Sequence, residues 1–91
     1  QIPYSEEVTN VNEIKGQLLR DQGHYLTALV ALNTCKQAKV THQKHPISIA
    51  WIESFIGNTY VDLGCYKSAQ EQLNRAMTTF EKHFPGKNPY Y

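Results

Sequence analysis

The side chains of this chain best suited to metal or covalent chemistry are four histidines and two cysteines. A zinc site built from neighbouring ligands reads as paired CxxC or as HExxH on one helix face. His42 and His45 are three residues apart, but neither pattern accompanies them. His24 and Cys65 fall in two separate turns, and Cys35 falls on an expected packing face. No thiol therefore has a base and an orienting group defined by spacing, as a nucleophile needs. No glycine-rich phosphate loop leads into a Lys-Ser or Lys-Thr helix start. Lys36, Lys39, His42, Lys44 and His45 form a basic stretch near a helix end, where cations suit the negative end of the dipole. Without an arginine-rich surface around it, the stretch does not read as a nucleic-acid site. The expectation is no catalytic residue, no metal and no cofactor, so not an enzyme. What is left is recognition chemistry: carboxamides, a tryptophan and a few charges, which act together when a fold sets them side by side.

Composition bounds that fold. The 91 residues carry nine basic and eight acidic side chains, a net +1 with histidine neutral. An apolar fraction of 41% is too high for a disordered polyelectrolyte, and the length suits one domain rather than two cores. Near-neutral charge gives no bulk attraction to nucleic acid or an acidic membrane. No apolar run approaches the about 20 residues that cross a bilayer. The stretch 1–7 has neither the basic region nor the apolar core of a signal peptide, and the missing initiator methionine suggests a fragment or a processed chain. Two reduced thiols in the cytoplasm are expected rather than a disulfide framework.

Self-comparison is more informative. Gly16 and Gly57 are 41 residues apart, and so are Gly23 and Gly64, Tyr25 and Tyr66, Ala28 and Ala69, and Leu32 and Leu73. Asp21 and Asp62 keep the same offset, with Leu19/Tyr60 and Cys35/Ala76 as size-varied matches. Pro3, Pro46 and Pro89 repeat at 43 instead, which two local changes in loop length accommodate.

Each unit reads as two helices, giving hairpins over 5–43 and 46–84, with 85–91 a linker or the start of a further repeat. The first helix starts at Ser5 or Thr9 and runs to Gln22, with Ser5 as cap, Glu6 and Glu7 at the positive end, and Val8, Val11, Leu18 and Leu19 as its apolar stripe. The second runs from Tyr25 to His42 behind Tyr25, Ala28, Leu29, Leu32, Cys35 and Ala38. The third runs from Pro46 to Leu63 behind Ile49, Ile52, Ile56, Tyr60 and Leu63, with Trp51 and Phe55 widening that face. The fourth runs from Tyr66 to Phe84 behind Tyr66, Ala69, Leu73, Ala76, Met77, Phe80 and Phe84, and Pro85-Gly86 stops it. Gly16 and Gly57 are mid-helix, where glycine costs about 1 kcal/mol against alanine. Close approach of the helices carrying Ala28 and Ala69 is the expected compensation.

The second unit reads Gly57-Asn58-Thr59-Tyr60, then Leu63-Gly64-Cys65-Tyr66-Lys67-Ser68-Ala69, then Leu73 and Ala76. The first reads Gly16-Gln17-Leu18-Leu19, then Gln22-Gly23-His24-Tyr25-Leu26-Thr27-Ala28, then Leu32 and Cys35. Both resemble the tetratricopeptide repeat. Leu19 and Cys35 replace the usual tyrosine and alanine, and Asn12 and Glu53 stand where the first helix usually carries tryptophan. The ordinary repeat is about 34 residues. The 41 to 43 seen here is similar to the long repeats of kinesin light chains. The resemblance implies an all-α fold of antiparallel helix-turn-helix repeats stacked as an open right-handed superhelical solenoid fragment. It also implies a non-catalytic module that binds a protein or peptide in a groove lined by first helices.

On that framework the groove-facing residues are Asn10, Glu13, Gln17, Arg20 and Asp21 in the first unit. In the second they are Trp51, Ser54, Phe55, Asn58, Val61 and Asp62. Asn58 both donates and accepts and so suits a peptide backbone. Trp51 and Phe55 suit an apolar side chain, or equally the packing of a neighbouring repeat. Arg20 has a ligand carboxylate or Glu13 as alternative partners. With no dense positive clamp, a strongly acidic C-terminal peptide is not the expected ligand. Two other readings stay open: a structural solenoid segment that self-associates through exposed repeat ends, and a peptide-sensing domain of a signalling regulator.

Overall fold

The computed structural model describes residues 4–43 and 45–84, and the expectations for Pro3, Lys44 and 85–91 lie outside them. Helix α1, Glu6–Asp21, opens at Ser5, whose extended backbone lets its hydroxyl accept a hydrogen bond from the Val8 amide at 3.3 Å. Glu6 and Glu7 occupy the first turn, as the dipole favours. Helix α2 spans Tyr25–Ala38 and then widens into a π-helical segment over Lys39–Gln43, so the helix expected to reach His42 changes pitch after Ala38. Helix α3, Pro46–Leu63, begins on the proline, and α4 spans Tyr66–His83. All elements among the described residues are helical.

The two tight turns are copies of each other. Gly23 and Gly64 hold φ of 85° and 80°, the left-handed region that glycine enters without steric penalty. In the first turn His24 N–H donates to Leu19 C=O at 2.8 Å and Gly23 N–H to Arg20 C=O at 2.9 Å. In the second, Cys65 N–H donates to Tyr60 C=O and Gly64 N–H to Val61 C=O, both at 2.9 Å. These paired bonds are the Schellman closure of a helix. Every donor and acceptor in one has its counterpart 41 residues on in the other. The repeat therefore extends from residue identity to individual hydrogen bonds.

The glycines inside the helices are seats for leucine. A Cβ on Gly16 would lie 2.9 Å from Leu32 Cδ2, and one on Gly57 would lie 2.7 Å from Leu73 Cγ. Leu32 and Leu73 are themselves 41 apart, so the same knob fills the same hollow in both hairpins. Packing runs α1 on α2, α2 on α3 and α3 on α4, with antiparallel neighbours. Leu32, Cys35, Ile52 and Ile56 form a sealed cluster between the hairpins, and Leu29, Phe55 and Tyr60 lean on it. Ala50, Ala76 and Phe80 form a second cluster inside the second hairpin.

Two expected stripes are placed differently. The buried side of α1 is Thr9 and Gly16, whereas Val8, Val11, Ile14 and Leu18 face outward. The seat for Leu32 fixes the rotation of α1, because Gly16 must face α2 and the stripe about half a turn away then cannot. Tyr66 is 68% exposed, while its counterpart Tyr25 is half-buried beside Leu63. Among the described residues, no later helix stands over Tyr66 as α3 stands over Tyr25.

Candidate functional site

The repeat aligns one face of α1 with one face of α3. Asn10, Gln17 and Asp21 on α1 correspond, at 41 residues, to Trp51, Asn58 and Asp62 on α3. Positions three, four and seven apart share a helix face, which is why sequence spacing alone brings them together. Gln17 and Asn58 are both half-buried, and Val61 is 42% exposed beside them in sequence.

Several expected contact residues are committed to the protein itself. Arg20 Nε donates to Asp62 Oδ2 at 2.7 Å, linking the end of α1 to the end of α3. That ion pair is partly exposed and ties the two turn ends together, while Asp21 stays exposed. Ser54, expected in the groove, is fully buried, and its hydroxyl donates to the Trp51 carbonyl at 2.7 Å. It offers nothing to a partner. Phe55 is half-buried against the cluster between the hairpins. Trp51 is 41% exposed, with its ring stacked near Phe55 at 6.2 Å and edge-on to Phe80 at 4.9 Å. Its packing role and its accessible surface coexist.

Two members of the basic stretch, Lys36 and Lys39, turn inward, whereas His42 and His45 are exposed. Lys39 is nearly sealed, and its Nζ lies 2.7 Å from Ser48 Oγ, 3.4 Å from Glu13 Oε1 and 3.5 Å from Asn10 Oδ1. The Glu13 contact is an ion pair set off the hydrogen-bond direction, so Oε1 is neutralised in charge without being hydrogen-bonded. Lys36 Nζ lies 3.2 Å from Glu53 Oε2 and 3.2 Å from Gln72 Oε1. The repeat relates Lys39 to Phe80, Asn10 to Trp51 and Glu13 to Ser54. One helix crossing is thus built from a polar knot in the first hairpin and from an aromatic pair in the second. Spacing alone does not reveal this, because a lysine near a helix end reads as exposed until a third helix covers it.

The thiols divide in the same way. Cys35 is buried and lies 3.5 Å from the Thr9 carbonyl, while Cys65 is free and exposed in its turn. Burial pushes the Cys35 thiol above its ordinary 9.0, Glu13 adds to the push, and Lys39 opposes it. A thiol held protonated is a packing group rather than a nucleophile. No group of three or more histidine, cysteine, aspartate or glutamate side chains suited to a metal occurs among the described residues. No helix among them is long and apolar enough to cross a membrane. Comparison with protein-family models, with curated proteins and with solved structures gives no match to this chain.

Proposed function

We propose that the chain is a pair of long tetratricopeptide-type repeats, stacked as a right-handed solenoid fragment. In this reading it is a non-catalytic cytoplasmic module that holds an extended peptide or partner segment against α1 and α3. One observation carries the functional part: Gln17 and Asn58 are half-buried carboxamides at equivalent positions of successive first helices. Each amide donates and accepts, so together they read both N–H and C=O groups along a peptide backbone. The exposed part of Trp51 supplies an apolar contact on the same face of α3, and the Arg20–Asp62 pair closes the turn end of that face. Two free thiols suit a reducing compartment.

The test is selection of peptides from a random library on the wild-type chain, followed by affinity measurement on variants. Gln17→Ala with Asn58→Ala is expected to weaken the selected peptides at least about tenfold, from two lost hydrogen bonds, with helicity unchanged. Equal affinity in the double variant contradicts the reading. Trp51→Ala is a less clean probe, because it also removes the edge-on contact with the buried Phe80 ring.

A further inference from the structure

The outward face of α1 has a composition that solvent does not explain. Val8, Val11, Ile14 and Leu18 are 58%, 63%, 58% and 55% exposed and line one side of the helix, opposite the packed Thr9 and Gly16. Single exposed apolar residues are ordinary, but a contiguous stripe marks an interaction surface. The repeat states what kind of surface. Forty-one residues on, the four positions become Ile49, Ile52, Phe55 and Thr59. Ile52 and Thr59 are fully sealed, and Ile49 and Phe55 are half-buried. Ile52 and Phe55 lie in the cluster to which α2 contributes Leu29, Leu32 and Cys35.

Helix α2 also pins the edges of that seam. Lys36 reaches Glu53 and Gln72 between α3 and α4, and Lys39 reaches Ser48. The equivalent positions around α1 are Asn12, Ala31 and Glu7. Between α1 and α2, where Lys36 would enter by analogy, a cavity of about 240 Å³ is lined by Asn12, Lys15, Leu19, Val30 and Ala31, among others. Glu7 is exposed at one edge of the stripe.

We propose that the outer face of α1 docks an amphipathic helix, laid antiparallel to α1 as α2 is to α3. Its aliphatic stripe covers Val11, Ile14 and Leu18, and a basic residue at the position of Lys39 meets Glu7. A second copy stacked end to end does not supply this helix, because between the exposed Tyr66 and Phe84 at its two ends α4 exposes Gln70, Glu71, Asn74, Arg75 and Thr78 and no aliphatic row. The patch adjoins the face carrying Gln17 at Ile14, three residues away, whereas Val11 lies about a third of a turn from Gln17, so Val11→Asp tests the patch apart from the peptide site proposed above.

The natural probe is a synthetic helix with the sequence of residues 25–42, labelled and held helical by a lactam on its far side. Fluorescence anisotropy is expected to show saturable binding to the wild-type chain. Val11→Asp and Ile14→Asp are each expected to weaken it at least tenfold with circular dichroism unchanged, since both side chains are more than half exposed. Glu7→Lys is expected to weaken the probe severalfold, and a probe carrying Lys39→Glu to recover that loss. Absent binding overturns the proposal, as does binding indifferent to Val11→Asp and Ile14→Asp, which would mean the probe is replacing α2. Sedimentation of the chain alone supplies the remaining outcome. Self-association that Val11→Asp abolishes would give the face to a second copy and overturn the helix assignment.

Discussion

At the scale of single residues, the repeated glycines carry the most definite consequences. Gly16→Ala gains about 1 kcal/mol of helix propensity but forces a Cβ to within 2.9 Å of the side chain of Leu32, which is fully buried. Overpacking costs about 1–3 kcal/mol, so the variant is expected to be destabilised on balance. Adding Leu32→Ala to it is expected to cost markedly less than the about 2–5 kcal/mol that truncation costs in the wild type. Strict additivity in urea denaturation would contradict the seat. Cys35 gives a pH prediction. Below 9.0 the thiol is neutral in both folded and unfolded chains, and its contribution is intact. As pH rises past 9.0 the unfolded thiol ionises while the buried one keeps its proton, so stability falls towards the raised folded value. The fall in urea midpoint between about pH 8 and about pH 10 is expected to be steeper in wild type than in Cys35→Ala. The repeat of Gly16 and Gly57 makes close helix approach legible in the sequence, but the expected partners there are the helices at Ala28 and Ala69, and it is Leu32 and Leu73 that fill the hollows. Ser54 was not legible, because periodicity places it beside the groove while its hydroxyl turns back to the Trp51 carbonyl.

At the scale of helices, the segment boundaries followed from caps and turn glycines, whereas the facing of α1 did not. Its apolar residues suggested an inward stripe, yet Thr9 and Gly16 face inward because the leucine seat sets the rotation. The end of α2 escaped a similar reading. Lys36 and Lys39 look like solvated cations by sequence, and the packing of α3 over α2 makes them internal ties. This difference is measurable. Lys39→Met strands Glu13 beside a buried apolar group and is expected to cost about 3 kcal/mol, as loss of one partner of a buried pair does. Lys39→Met with Glu13→Ser imitates the Phe80 and Ser54 arrangement of the second hairpin and is expected to recover most of that loss. A double variant no more stable than Lys39→Met would show that the polar knot is not interchangeable with its apolar counterpart. Asp62→Ala, which breaks a partly exposed pair, is expected to cost less than about 1 kcal/mol.

At the scale of the molecule, one hairpin design is used twice and its two copies face different surroundings. The closed turns, the leucine seats and the carboxamides of Gln17 and Asn58 repeat, while the outer faces do not. Helix α3 has its aliphatic face under α2, α1 has the equivalent face open, and α4 turns polar residues outward. The molecule thus carries two adjoining surfaces, a polar one with carboxamides along α1 and α3 and an aliphatic one on α1 alone. The measurement that separates them most directly is a nitrogen-edited NMR titration of the chain with a library-selected peptide, following the side-chain amide signals of Gln17 and Asn58. Both pairs of amide signals are expected to shift together and to saturate with the peptide. Shifts confined to the backbone around Val11, Ile14 and Leu18, with Gln17 and Asn58 unmoved, would contradict the peptide site.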